Sequence, residues 1–219
     1  MIEYPKIETL YDRDKETFKV IPDMLRWKEF DLIRRWYVTE KIDGTNIRVN
    51  FSNGVVTYGG RTDKAEMPVK LMEYLRTNLS REALESVFKE PEGDITLFGE
   101  GYGEKIQKGG GKYRAGVSFR LFDVLIGNWW LEPESIEEIA QGLGVLTVPC
   151  LGITSHLPTG VEDLNFLTFG GRSVVAAEEM GFDARPEGIV ARTHPLLITR
   201  SGKRVMWKLK FKDFEGGKK

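Results

Sequence analysis

At 219 residues, with a formal net charge of −1, the chain can bury roughly 70% of the surface its unfolded form exposes, so no disulfide or metal is needed to hold a core. Its single cysteine, Cys150, excludes an internal disulfide, and with only His156 and His194 beside it a Cys/His zinc site is nearly excluded. The first residues lack the basic-then-apolar pattern of a signal peptide, and no apolar run approaches the ~20 residues of a membrane helix, so a soluble, cytoplasmic protein with no membrane partner is expected.

Trp36-Tyr37-Val38-Thr39, rich in aromatic and β-branched residues, predicts a strand. It runs into Glu40-Lys41-Ile42-Asp43-Gly44, where glycine marks a turn. Ile47, Val49 and Phe51 alternate with polar neighbours, and Asn53-Gly54 predicts a hairpin into Val55–Tyr58. Helices are predicted after Pro68 and after Ser80. Ile95–Phe98 and Phe119–Ile126 read as buried strands separated by a glycine-rich loop. Ser135 with Glu138 predicts a capping box on a short helix ending near Gly142 or Gly144. A further helix is expected over about Ser173–Met180, and Gly188–Arg192 and Arg204–Phe211 close the chain as strands. No repeat, low-complexity block or long linker divides the sequence, so a single domain over residues 1–219 is expected, in one lobe or two. Strands interrupted by unevenly placed helices predict an α+β fold with antiparallel sheets.

Charge is unevenly distributed. Ten acidic residues stand against two basic ones from Trp129 to Glu187, and eight basic against two acidic from Arg200 to Lys219. Such asymmetry fits either a phosphate-binding face or a tail kept for solubility.

Lys41 ends an apolar strand beside a tight turn, where it can be held and partly desolvated. Both conditions help an amine that titrates near ~10.4 when free to act as a nucleophile at neutral pH. Asp43 could bind a metal or orient that amine; the plain alternative is a strand-ending lysine before an ordinary turn. In Phe98-Gly99-Glu100-Gly101-Tyr102-Gly103, a strand-end carboxylate facing a cleft could accept from ribose hydroxyls. The glycine loop that follows carries Lys105, Lys108 and Lys112, a composition suited to phosphates but also to a flexible surface loop. Phe119–Val124 reads as sheet core or as a source of one base-stacking ring. Glu187-Gly188 opens an apolar strand. In Trp207-Lys208-Leu209-Lys210-Phe211 the two lysines share one strand face, opposite the three apolar residues.

Taken together and in order, Lys-Asp-Gly, strand-end Glu, Phe-Asp, Glu-Gly and Lys-any-Lys resemble the motifs of the covalent nucleotidyltransferase superfamily, which includes DNA ligases, RNA ligases and capping enzymes. The resemblance runs from Glu40 to Lys210, most of the chain. Asn46, two residues after Gly44, is similar to RNA ligases of the phage T4 ligase 2 type, where DNA ligases and capping enzymes usually carry arginine; Arg61 falls where that group places an arginine after the hairpin. Asp43 departs from the histidine common in that subgroup and agrees with other RNA ligases.

The resemblance implies antiparallel sheets with flanking helices around an ATP cleft, of ATP-grasp-like form and without an OB-fold. It implies Lys41 as the adenylated residue, Glu40 beside the adenine, Glu100 on the ribose and Phe122 stacked on the base. Asn46 and Arg61 would contact phosphate or ribose. Asp43 and Glu187 would hold Mg²⁺ (or Mn²⁺) largely through water, and Lys208 and Lys210 the α-phosphate and leaving pyrophosphate. Lys105, Lys108 and Lys112, with the segment 200–219, would grip nucleic acid. The expected activity is ATP-dependent joining of a 5′-phosphate to a 3′-hydroxyl on RNA, as in RNA repair. The chain ends soon after Lys210, so a partner protein that supplies substrate grip is also expected. A DNA or mixed nicked-duplex substrate, a capping-type guanylyltransferase and a catalytically silent nucleic-acid binding module are the alternatives, and the intact lysines speak against the last.

Overall fold

A computed structural model describes residues 1–89, 93–181 and 183–215. Among these residues the strands, in chain order, are β1 (Tyr11–Arg13), β2 (Val20–Leu25), β3 (Trp36–Lys41), β4 (Thr45–Ser52), β5 (Val55–Gly59), β6 (Ile95–Gly103), β7 (Val117–Ile126), β8 (Trp129–Trp130), β9 (Leu146–Thr147), β10 (Cys150–Thr154), β11 (Gly188–Thr193) and β12 (Met206–Lys210). The helices are α1 (Val69–Asn78), α2 (Arg81–Val87), α3 (Pro133–Leu143), α4 (Val161–Leu167), α5 (Val174–Met180) and α6 (Phe211–Glu215). The α+β class with antiparallel sheets is therefore correct. No helix among the described residues is long and apolar enough to cross a membrane.

The chain forms two compact units and passes between them three times. One comprises Met1–Pro5 with Asp43–Val148, the other Lys6–Ile42 with Pro149–Lys219. In the first, β5-β4-β6-β7-β8 form an antiparallel sheet, with β9 added parallel to β7. Asn53 and Gly54 both take positive φ (50° and 73°), as the two-residue turn between β4 and β5 requires. Ile47, Val49 and Phe51 of β4 face a core shared with Leu71 and Leu75 of α1, Leu84 of α2 and Ile136 of α3. Ser80 caps α2 as expected, its hydroxyl accepting from the Ala83 N–H (3.3 Å). The capping box at Ser135 is corrected: α3 starts at Pro133 with Glu132 before it, so Ser135 lies inside the helix. Proline's fixed φ suits the first helical position, and that outweighs a serine two residues later. The helix does stop at Gly144, in the left-handed region at φ 67°.

In the second unit the order is β10-β3-β11-β12, all antiparallel. Strict alternation puts Trp36 and Val38, Ile189 and Ala191, and Trp207 and Leu209 into a core completed by Leu10, Phe30 and Leu164. The opposite face carries Lys41, Lys208 and Lys210. A separate hairpin of β1 and β2 belongs to this unit, and a parallel bridge from Thr9 to Lys208 ties the chain before it to the free edge of β12.

Candidate functional site

Two clusters contain the residues singled out by the sequence, one in each unit. In the second unit the register aligns Lys41 with Gly188 and Gly188 with Lys210. Directly opposed residues of neighbouring strands project to the same face, so the two lysines flank a position that has no side chain. That position admits none: a Cβ on Gly188 would lie 2.0 Å from the Leu209 carbonyl oxygen. Glu187 fills the gap from the end of the strand. Its Oε2 accepts from Lys41 Nζ at 2.5 Å and its Oε1 accepts from Lys210 Nζ. The backbone fixes it from both sides, the Glu187 N–H donating to the Lys41 carbonyl and its carbonyl accepting from Phe211.

The side chains of Lys41, Glu187 and Lys210 are 20%, 13% and 21% exposed. Burial pushes the Glu187 carboxyl upward, but the charge of Lys41 and the hydrogen bonds from Lys210 and Lys41 outweigh it and hold the group below the ordinary carboxylate range. One anion thus gathers two cations that would otherwise repel. Lys208, two residues before Lys210, is on the same strand face and half-buried.

Glu40 points the other way, into the core, and is only 2% exposed. A carboxylate there needs donors, and the start of α5 supplies them. Ser173 Oγ donates to Oε1 (2.5 Å), and the N–H groups of Val174 and Val175 donate to Oε2 (2.8 and 3.3 Å). The adenine contact expected of Glu40 would have to share or displace these bonds. Sequence separation of 133 residues hid this pairing.

In the first unit, the turn Asp43-Gly44 is pressed onto β6. A Cβ on Gly44 would sit 2.3 Å from the Gly101 carbonyl oxygen and 2.8 Å from Glu100 Cγ, so only glycine fits. Asn46 and Glu100 are directly opposed on β4 and β6, on the face away from the Ile47 core. Glu100 lies well inside β6 and not at its end, a correction to the strand-end expectation: the strand continues to Gly103 because β7 pairs with it throughout. Asn46 Oδ1 is buried without a hydrogen-bond partner, an acceptor left open where ribose or phosphate contacts are expected.

A β-bulge between Phe98 and Gly99 pairs Asp123 with Phe98 and Leu121 with Gly99, leaving Phe122 unpaired. Its ring meets the edge of Tyr4 with centroids 5.0 Å apart, while the Tyr4 hydroxyl donates to Asp123.

The glycine loop is ordered by its own backbone. The Glu104 N–H donates to Gly116 and Tyr113 N–H to Gly110. Gly110 is required there because a Cβ would meet the Gly103 carbonyl oxygen at 2.0 Å. Gln107 Nε2 donates to the Gly44 carbonyl (3.2 Å), the Asp43 N–H donates to the Tyr113 hydroxyl (3.3 Å), and the Asp43 carboxylate borders Gly109. Lys105 and Lys108 are exposed, whereas Lys112 packs its ammonium over the Tyr113 ring at 4.9 Å. Residues 216–219, which include Lys218 and Lys219 of the basic segment, lie outside the described residues.

Arg61 is exposed and its neighbourhood is set by a residue the sequence reading passed over. Arg48, fully buried, donates to the carbonyls of Gly60 (2.6 Å), Met1 and Ile2 and pairs with Asp63 (2.8 Å). Its only sequence signal is an arginine on the polar side of an alternating strand. Tyr4 and Arg48, which brace Phe122 with Asp123 and the backbone at Gly60, are contacts that sequence reasoning missed.

Among the described residues no group of three or more His, Cys, Asp or Glu side chains gathers. This donor set fits Mg²⁺ or Mn²⁺ as an ion that keeps water and binds through one or two carboxylates plus substrate phosphates. Asp43 suits that use. Glu187 has each oxygen taken by an ammonium group.

A lysine is clasped to a strand-leading glutamate on the open face of one antiparallel sheet, and an Asp-Gly turn opens the strands of a second. Solved structures share this fold. A Naegleria gruberi RNA ligase variant with ATP and Mn is 21% identical, covering 95% of this chain and 56% of that one, with a TM-score of 0.63. An apo variant of a Naegleria gruberi RNA ligase is 20% identical over 95% and 57%, at 0.62. A third, the Naegleria gruberi ligase with pyrophosphate, is 21% identical over 94% and 61%, at 0.61. The chain thus spans less than two thirds of each of these structures. No curated protein matches it significantly. The sequence matches the RNA ligase family over residues 34–210, and the chain belongs to that family.

Proposed function

We propose that the protein is an ATP-dependent RNA ligase in which Lys41 becomes covalently joined to AMP. The observation that carries this reading is the Lys41–Glu187–Lys210 cluster in a chain of the RNA ligase family. The ATP and Mn with one fold relative, and the pyrophosphate with another, support a nucleotide triphosphate as substrate and a divalent ion as helper.

In the proposed reaction Lys41 leaves its ion pair with Glu187, gives up a proton to solvent, and attacks the α-phosphorus of ATP. The N–P bond forms as the P–O bond to pyrophosphate breaks. AMP then passes to a 5′-phosphate, and a 3′-hydroxyl displaces AMP to close the phosphodiester. The chain's own contribution is charge neutralisation and alignment. Lys208 and Lys210 offset charge on the transferring phosphorus and the leaving pyrophosphate. Glu187 aligns Lys41 against Lys210 before the nucleotide arrives. Glu100, Asn46 and Arg61 take ribose and phosphate contacts, the open Oδ1 of Asn46 accepting from a ribose hydroxyl, and Phe122 stacks on the base. Lys105 and Lys108 contribute phosphate contacts to RNA. Asp43 would hold Mg²⁺ or Mn²⁺ through water, and the ion would supply further charge neutralisation at the phosphates.

The test is to incubate the protein with radiolabelled ATP or GTP and a divalent metal and look for label that survives denaturing electrophoresis. Label from ATP, lost in Lys41→Ala, is expected. Label from GTP alone would favour a capping-type enzyme, and none from either nucleotide a binding module. Joining on matched RNA and DNA nicks separates an RNA from a DNA ligase.

A further inference from the structure

The second unit carries a groove of about 840 Å³ between the β1–β2 hairpin and the edge of β12 with α6. Nothing in the adenylation chemistry uses most of it. Seven of its sixteen lining side chains are Lys or Arg and three are carboxylates. Those three are tied within the wall: Asp213 to Arg13 (2.8 Å), Asp12 to Arg26 (2.6 Å), and Glu8 to Lys6 (3.6 Å). Lys15 and Lys212, both exposed, make no ion pair among the described residues. Lys210 is held by Glu187 from outside the lining, so Lys15 and Lys212 are the groove cations that no carboxylate of the wall offsets.

Apolar side chains are exposed in the same lining. Phe18 and Met24 are 55% and 51% exposed and line the same groove. Phe18 is also held in the left-handed region at φ 58°, where a bulky side chain is uncommon. The hairpin loop enforces this. Asp14 Oδ1 accepts from Thr17 N–H (2.6 Å) and Glu16 N–H (3.1 Å), and the Arg13 guanidinium donates to the Phe18 carbonyl (2.8 Å). An exposed ring on a braced loop, beside cations and leading to Lys208 and Lys210, joins a stacking platform to an electrostatic channel. That combination recognises single-stranded nucleic acid, because every base presents a face to stack and every nucleotide a phosphate to neutralise.

We infer that this groove binds a single-stranded RNA segment, with one base stacked on Phe18 and adjacent phosphates on Lys15 and Lys212. The inference rests on the RNA-ligase reading for the choice of RNA, but not for the groove itself.

The experiment measures binding of a fluorescent single-stranded RNA 12-mer by anisotropy across salt concentrations, with self-adenylation measured in parallel. Phe18→Ala should weaken RNA binding about tenfold. Combining Lys15→Ala with Lys212→Ala should lower the slope of log affinity against log salt by about 1.4, at ~0.7 per phosphate contact on a single strand. Self-adenylation should be unchanged in both. Wild-type affinity and salt slope in both variants would overturn the proposal. So would an equal loss of duplex RNA binding in Phe18→Ala, because a paired base cannot stack on the ring. If the wild type forms no adduct while the variants still lose RNA, the ligase reading falls and the groove stands.

Discussion

Replacing Glu187 by Gln removes the charge that holds Lys41 and Lys210 together. Two ion pairs in hydrogen-bond contact are each worth at least about 4 kcal/mol of attraction before desolvation, the value for ~4 Å at an effective dielectric of ~20. The lysines remain about one-fifth exposed, so water screens part of this, and each group loses hydration to form the cluster. Breaking a fully buried pair by removing one partner costs ~3–5 kcal/mol; at this exposure ~2–3 kcal/mol is expected, leaving two facing ammonium groups. For a chain of this length that corresponds to a melting temperature lower by about 5–10 °C at pH 7. The sign with pH follows from the depressed Glu187 pKa. Its stabilising contribution is fully present above the unfolded value near 4.5 and is lost as pH falls through the lower folded value. Wild type and Glu187→Gln should therefore converge in acid. Thermal unfolding of both proteins at pH 7 and through the acid range measures this. Adding Lys210→Met to Glu187→Gln should recover part of the loss, since one repelling charge is gone. Equal stability at pH 7, or a difference that persists unchanged in acid, would refute the argument.

Lys208→Ala and Lys210→Ala should each slow adenylation more than tenfold, a transition-state loss above ~1.4 kcal/mol, read from the rate of adduct formation. Glu40→Gln should cost ~1–3 kcal/mol in urea unfolding, because one amide oxygen cannot accept from Ser173 and both N–H groups at the start of α5. Gly188→Ala should be poorly soluble or unfolded, since its Cβ would meet a backbone oxygen at 2.0 Å; a normally folded variant by circular dichroism would show that the strands can separate there. Asn46→Ala should weaken nucleotide binding while leaving the melting temperature within about 1 °C, because its open Oδ1 supports no hydrogen bond in the protein. A large fall in stability would make Asn46 a structural residue.

Local patterns in the sequence determined much of this protein. Period-two alternation identified the central strands and put Lys208 and Lys210 on the face opposite Trp207 and Leu209; Asn53-Gly54 identified its hairpin, and Ser80 and Ser173 the starts of α2 and α5. The order of motifs identified the family. Elements with mixed local signals were not legible. β2 contains Pro22, which demotes a strand reading and is tolerated only because β2 is an edge strand. β10 is broken by Gly152 and a register shift, and α4 begins at Gly160 without a capping side chain.

Tertiary structure alone decided the partners. Lys41 and Glu187 are 146 residues apart, and their meeting depends on the register of β11 against β3 and β12, a long-range choice that no local propensity encodes. The same holds for Glu40 at α5, for Arg48 beneath the Gly60-Arg61 turn, and for the β1–β2 hairpin along the edge of β12. A sequence states which residues can carry charge and which must be buried. Which cation meets which anion follows from the one strand register that buries both cores at once.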